Sequence, residues 1–107
     1  MITFTLLGGR HEPTGFTCVG HAGYGERGYD IVCAAVSALT ITCANALDSV
    51  AKASPKVSRR QEDGYLAVEC GGVSGDSFHD AKVLLQSLYL GMKDIAEQYP
   101  KHVHLST

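Results

Sequence analysis

The 107-residue sequence lacks any block dominated by one residue type, and it lacks a run of charges of one sign. Hydrophobic residues make up 45% of the chain and charged residues 19%, which excludes a low-complexity disordered segment and predicts a globular domain. The nine Lys and Arg residues are spread along a chain of net charge −2, without the basic stripe that attracts phosphate backbones. We therefore expect no direct nucleic-acid ligand.

Signals for export or membrane insertion are also lacking. Ile2, Phe4 and Leu6 alternate with threonines, whereas a signal peptide has a basic start and an unbroken apolar centre. The uncharged stretch 31–47 is shorter than the ~20 residues that cross a bilayer, and it contains Ser, Thr and Asn. We interpret this stretch as a buried helix and expect a cytoplasmic protein without membrane contact.

The four cysteines, Cys18, Cys33, Cys43 and Cys70, lack the close pairing of a disulfide framework. Cys18, Cys43 and Cys70 fall among apolar neighbours in predicted strands or helices, so we interpret them as core residues. A zinc site built from Cys18, His21 and Cys33 is an alternative, but it lacks the close ligand pairs of structural zinc sites. We expect no metal and no other cofactor.

Hydrophobic periodicity predicts one domain, residues 1–107, with the element order ββαββα and a short closing strand at residues 102–105. The predicted strands are residues 1–8, 16–21, 56–60 and 65–70, and the predicted helices run from about Ile31 to Ala53 and from Asp76 to Tyr99. This order indicates an α+β fold. We predict a two-layer sandwich in which two helices pack on one face of a mainly antiparallel four- or five-stranded sheet.

Asp30 and Cys33 lie where the pattern changes to a long, alanine-rich apolar run. Aspartate is a favoured N-cap residue, so the first helix is predicted to begin at Ile31, with Cys33 as its third residue. A helix start has unpaired backbone N–H groups and the positive end of the helix dipole, which favour the reactive thiolate form of cysteine. We expect the same N–H groups to bind the oxyanion that forms when a thiolate attacks a carbonyl.

His21 is predicted at the end of the second strand, across a glycine-rich loop from this helix start. A chain reversal would bring its imidazole to Cys33, and such a pair suffices for acyl transfer. Asp30 is a candidate to orient the imidazole. Ser37 follows Cys33 by four residues, which places it only roughly 40° further around the helix, and it is a candidate for binding the substrate backbone.

Gly23, Gly25 and Gly28 give the intervening loop unusual backbone freedom. We expect Gly23 to Gly28 to form a gating loop with few contacts, which becomes ordered when a substrate peptide binds. Such a gate would control the distance between base and nucleophile.

Each candidate also has a non-catalytic interpretation. Cysteine is among the most buried residue types, so Cys33 can be a core residue. Asp30 can serve as a helix cap alone, and Ser37 can be small because the helix lies close to the sheet. Spacing by itself leaves the catalytic pair and the structural cysteine both open.

Two segments carry a more specific resemblance. Gly20-His21-Ala22, followed by Gly-Tyr-Asp-Ile-Val-Cys-Ala-Ala-Val-Ser-Ala-Leu at residues 28–39, resembles the signature of the ribosomal-processing cysteine proteases of bacteria. The resemblance implies a two-layer α/β fold, usually a homodimer. It further implies a protease that removes a short N-terminal extension from large-subunit ribosomal protein number twenty-seven before ribosome assembly.

The resemblance implies Cys33 as the nucleophile and His21 as the base. It marks Asp30, Ser37, Gly20 and Ala22 as substrate-binding or supporting residues. The alternative from another class is a non-catalytic, ribosome-associated interaction module in which the cysteine is structural. The combination of His21 with a cysteine at a helix start argues against that alternative.

Overall fold

Five strands and two helices make up the computed structural model, which describes residues 1–26 and 28–106. In chain order the elements are β1 (Ile2–Leu7), β2 (Gly15–Val19), α1 (Ile31–Ser49), β3 (Lys56–Arg60), β4 (Tyr65–Glu69), α2 (Gly75–Gln98) and β5 (Val103–Ser106). The strands form one sheet in the order β3-β4-β2-β1-β5, in which only the β1–β5 pair is parallel. The predicted two-layer α+β fold is therefore confirmed, including its fifth strand.

The core lies between the sheet and the two helices. Strand β1 alternates as predicted, with Ile2, Phe4 and Leu6 buried, and the Phe4 ring stacks on Phe16 of β2 with 5.7 Å between centroids. Each helix contributes a stripe at intervals of three or four residues: Val32, Val36, Thr40, Cys43 and Leu47 from α1, and Ala81, Leu85, Leu88 and Met92 from α2. Burial also confirms the interpretation of Cys18, Cys43 and Cys70 as core residues.

Helix α1 begins at Ile31, as predicted, but it ends at Ser49 rather than near Ala53. The backbone N–H groups of Val50 and Ala51 both bond to the Ala46 carbonyl, and Lys52 adopts a left-handed φ of 56°. In this closing turn the last carbonyls of the helix accept hydrogen bonds from residues beyond its end. The helix therefore ends before the proline that was expected to stop it.

By length and composition α1 is long and apolar enough to cross a membrane, with a mean hydropathy of 1.7. One such helix is weak support for a span, because the core helix of a globular domain can be equally long and apolar. The buried stripe of α1 accounts for only part of its apolar character, because its exposed face is also apolar.

The β3–β4 hairpin turn packs against the end of β2. Gly64 closes the turn with a φ of +63°, and its carbonyl accepts a hydrogen bond of 3.1 Å from the Gly20 N–H. A Cβ at Gly64 would collide with the Gly20 carbonyl oxygen, so glycine is required by both space and backbone angle. The hairpin turn is thereby fixed beside His21.

Candidate active site

Asp30 caps α1, as predicted, and also binds the preceding loop. One carboxylate oxygen accepts hydrogen bonds of 3.0 Å from the N–H groups of Val32 and Cys33. The other oxygen accepts bonds of 2.9 Å and 3.2 Å from the N–H groups of Tyr24 and Gly25. Asp30 therefore joins the loop to the helix start, and its carboxylate binds four backbone amides rather than the His21 ring.

The electrostatics of Asp30 reflect these donors. Burial on its own raises the pKa of the Asp30 carboxyl, but four backbone N–H donors outweigh burial and hold the pKa below its usual value. The same geometry corrects one expectation. Since the Cys33 N–H is engaged by Asp30, and the Ala34 N–H by the Asp30 carbonyl at 3.0 Å, these helix-start amides do not form a free oxyanion site.

Replacing Asp30 tests this double anchor. We expect Asp30→Ala to lower the free energy of unfolding by about 2 kcal/mol or more, because it removes an N-cap at the upper end of measured values and frees two loop amides. Asp30→Asn should cost less, since asparagine also caps helices. Urea unfolding of the three proteins measures these differences.

The pH dependence of the stability difference between the wild-type protein and Asp30→Asn tests whether the cap is charged. A folded-state pKa below the unfolded value of about 3.9 means that the advantage of Asp30 over asparagine is complete above about pH 4. The advantage should shrink as the pH falls through the lower folded-state pKa. A stability difference that stays constant in acid would contradict the assignment of a charged cap.

Cys33 differs from the other three cysteines in exposure and in its partner. It is half-buried, and its Sγ atom accepts a hydrogen bond of 3.3 Å from the N–H of the buried Ala22.

The other three cysteines have raised pKa values. Burial, with a smaller effect of the Cys33 charge, raises the pKa of Cys18 to about 11. Burial and the charge of Cys70 raise the pKa of Cys43 to about 12. The pKa of Cys70 is also raised, first by burial and then by Glu69. These three groups are protonated thiols at neutral pH.

His21 lies two residues beyond the end of β2 at Val19, rather than within the strand as predicted. Its Nε2 atom is 3.2 Å from the Glu62 carbonyl oxygen, in the β3–β4 turn. Because a carbonyl only accepts, Nε2 carries the proton in this bond, and a neutral ring keeps Nδ1 as its free base. A Cβ at Gly64 would lie 3.1 Å from Cε1 of His21, so the glycine makes room for the ring.

Two cavities meet at Cys33, and each is lined by His21, Cys33 and Ser37. The first, of about 210 Å³, lies between α1 and the β3–β4 hairpin, and its lining includes Gly20, Arg59, Tyr65 and Leu66. The second, of about 550 Å³, lies on the side of the loop, and its lining includes Gly23, Gly25, Gly28, Asp30 and Glu62. The structure thus brings the predicted site residues together. Within the described residues, no hydrogen bond joins the His21 ring directly to Cys33 Sγ.

The expectation of few contacts in the loop is wrong for its first half. Asp30 binds the Tyr24 and Gly25 N–H groups, and the Tyr24 ring packs edge-on against Tyr99 with 5.4 Å between centroids. Gly23 and Gly28 have left-handed φ values of +67° and +91°, as a glycine-dependent turn requires. Arg27, within the predicted gating loop, lies outside the described residues.

Several site features are absent from the sequence-based prediction. These are the Ala22 N–H at the sulfur, the Glu62 carbonyl at the imidazole, and the hairpin residues that line the first cavity, Arg59, Arg60, Gln61 and Tyr65. The Asp63-Gly64 signal predicted the hairpin itself. Its contact with His21 depends on the pairing of β2 with β4, which no local pattern specifies.

Across residues 1–26 and 28–106, no three His, Cys, Asp or Glu side chains are grouped as a metal site.

Comparison with known proteins identifies the family of the chain. The family model described as "Cysteine protease Prp" matches residues 1–104. Proteins named ribosomal processing cysteine protease Prp are similar to this chain. The one from Staphylococcus aureus is 29% identical over 87 residues, which are 81% of this chain and 79% of that protein. The one from Bacillus subtilis is 26% identical over 93 residues, which are 86% and 83% of the two chains.

Solved structures show the same similarity over the whole fold. The S. aureus Prp protease, in complex with a covalently linked product peptide, superposes with a TM-score of 0.86 at 26% identity, covering 99% of this chain and 98% of that one. A Streptococcus mutans protein superposes with a TM-score of 0.85 at 32% identity, covering 99% and 92%. The chain belongs to the Prp family of ribosomal processing proteases and is a cysteine protease.

Proposed function

We propose that this protease removes a short N-terminal extension from large-subunit ribosomal protein number twenty-seven, and that it acts in the cytoplasm. Cys33 is the nucleophile and His21 the base. The observation that carries the assignment is the meeting of both side chains in two adjoining cavities, with a backbone N–H directed at the sulfur. The S. aureus relatives bound to a substrate peptide and to a covalently linked product peptide support a peptide substrate.

The proposed reaction begins with proton transfer from Cys33 Sγ to Nδ1 of His21. The thiolate attacks the carbonyl carbon of the scissile bond, and the C–N bond then breaks as the imidazolium gives its proton to the leaving amine. Water hydrolyses the thioester and regenerates the thiol. Since His21 and Cys33 are not hydrogen-bonded in the free protein, the proton transfer requires them to approach when the peptide binds, as is common in peptide-free active sites.

The Ala22 N–H is the proposed donor to the developing oxyanion. It already lies 3.3 Å from the attacking sulfur, so a carbonyl carbon bonded to that sulfur would place its oxygen near the same donor. Asp30 supports the site by fixing Cys33 at the helix start. Ser37 lines both cavities and is the proposed contact for the peptide backbone.

Cleavage of the extended ribosomal protein tests the substrate assignment. The purified protease is incubated with the precursor and with a matched protein that already lacks the extension, and mass spectrometry locates the cut. We expect one cut, which releases the extension and leaves the shortened protein intact. Binding of the precursor without cleavage would favour the non-catalytic interaction module. Cleavage of other peptides, but not of the precursor, would contradict the proposed substrate and leave the assignment as a protease intact.

We also propose that the protein is a homodimer that pairs through the outward face of α1. This face is apolar although it is exposed: Ile31 is 59% exposed and Leu39 37%, and Ala34, Ala35 and Ala38 lie between them at the surface. Light scattering after gel filtration should give the mass of two chains, and Ala38→Arg should give the mass of one. A single-chain mass for the wild-type protein would contradict the proposal.

The loop from Gly23 to Gly28 is the proposed gate, and its glycines test it. An added Cβ at Gly25 has its nearest neighbour at 3.5 Å, whereas alanine at Gly28 is strained by a φ of +91°. We therefore expect Gly28→Ala to lower turnover more than Gly25→Ala, with about 1 kcal/mol or less of stability lost at Gly25 and more than that at Gly28. Exchange of the Tyr24 and Gly25 amide hydrogens should slow when a non-cleavable peptide binds. Equal exchange with and without the peptide would eliminate the gate.

A further inference from the structure

His102 lies between α2 and β5, 80 residues along the chain from the segment that it contacts. Its Nδ1 atom is 2.9 Å from the carbonyl oxygen of Ala22. Since the carbonyl accepts, Nδ1 of His102 carries a proton and donates it. The side chain is half-buried, so this hydrogen bond is partly shielded from water.

The contacted residue is central to the site. Ala22 follows His21 directly, is only 2% exposed, and donates its N–H to Cys33 Sγ. The two polar backbone groups of Ala22 are thus both bound, one to the sulfur and the other to His102. The carbonyl and the N–H of Ala22 lie in separate peptide planes that meet at its Cα, so the bond to His102 restrains the N–H by holding the Ala22 Cα in place.

His102 is itself fixed on both its backbone and its ring. Its N–H bonds to the Tyr99 carbonyl and its carbonyl accepts from the Ile2 N–H, each at 2.9 Å. The Tyr24 ring packs edge-on against the imidazole, with 5.2 Å between centroids, and against the Tyr99 ring. The backbone of His102 is therefore held at the end of α2 and by β1, and its ring contacts Tyr24 of the glycine-rich loop.

We propose that His102 is a positioning residue that holds Ala22 so that its N–H stabilises the Cys33 thiolate and the oxyanion. The proposal rests on the proposed role of Cys33 as nucleophile. His102 does not touch the reacting atoms, and it acts only through the Ala22 backbone. It belongs neither to the Gly20-His21-Ala22 segment nor to the helix motif, so the sequence signature of the site does not include it.

Two substitutions separate the hydrogen bond from packing. In His102→Asn the side-chain amide nitrogen lies near the place of Nδ1 and keeps a donor, whereas His102→Leu fills much of the same space without one. His104 provides the matched control, because it lies two residues further along the chain and is exposed. His104→Leu changes the same residue type close by, on β5, without touching Ala22.

The experiment compares the folded wild-type protein and these three variants by peptide cleavage and by the rate of Cys33 alkylation with iodoacetamide between about pH 5 and 9. Cys18, Cys43 and Cys70 are buried and burial raises the pKa of each, so we expect Cys33 to be the cysteine that reacts in this range. We expect His102→Leu to lower kcat between about tenfold and a hundredfold, as a small misplacement of a reacting group does, with a smaller change in KM. Its alkylation curve should move to higher pH, while His102→Asn and His104→Leu remain near wild type.

A folded His102→Leu protein with wild-type kcat and alkylation would overturn the proposal, and so would His102→Asn behaving like His102→Leu. Unfolding curves show whether each variant is folded. If His102→Leu does not fold, the test rests on His102→Asn, and a lowered kcat in that folded variant would contradict the proposal. Failure of the proposed function itself would show in the wild-type protein. There, Cys33 would be alkylated only in the range of an ordinary thiol, near pH 8.5.

Discussion

Cys33→Ala is expected to abolish peptide cleavage while the protein keeps its fold. Without Cys33 Sγ no thioester forms, and the remaining groups cannot replace a covalent nucleophile. The loss in stability should be small, because the sulfur is only half-buried and the Asp30 bond to the Cys33 N–H belongs to the backbone. Cleavage of the ribosomal precursor and circular dichroism measure the two quantities.

Cys43→Ala is the matched control, since Cys43 lies on the same helix ten residues further along and is buried in the core. This variant should lose stability, as large-to-small core substitutions do, yet each folded molecule should cleave as the wild-type protein does. Substantial processing by folded Cys33→Ala protein, at a rate comparable with Cys43→Ala, would contradict the assignment of the nucleophile.

The helix start could be predicted because its signals are local. Asp30 before an apolar run indicates an N-cap, and the structure has the carboxylate on the amides of Val32 and Cys33. Strand β1 was likewise predictable, since one buried and one solvent-facing side produce strict alternation. In both cases one short segment contains all the residues that determine the outcome.

The remaining parts of the site depend on contacts between distant segments. The Glu62 carbonyl reaches His21 across 41 residues, and His102 reaches Ala22 across 80. A carbonyl carries no side-chain signature, so its partner is determined only by how β2 pairs with β4. The expectation that helix-start amides bind the oxyanion was wrong for a related reason. As a cap, Asp30 already accepts the hydrogen bond that the Cys33 N–H would otherwise donate to the oxyanion.

His21→Ala is expected to lower cleavage at least about a hundredfold, the low end of what a positioned acid or base contributes. Removing the imidazole takes away both the acceptor for the thiol proton and the donor for the leaving amine. Alkylation of Cys33 should also slow at neutral pH, because less of the sulfur is then present as thiolate. The fold should persist, since His21 is exposed and its ring makes a single hydrogen bond to the Glu62 carbonyl.

His79→Ala, an exposed histidine on α2 away from both cavities, controls for the loss of an imidazole. It should leave cleavage and alkylation unchanged. The comparison distinguishes a base from a substrate contact, because a residue that only binds the peptide would change cleavage and leave the alkylation of peptide-free protein untouched. An alkylation curve of His21→Ala that matches wild type would therefore eliminate the thiolate–imidazolium pair, even if cleavage were slow.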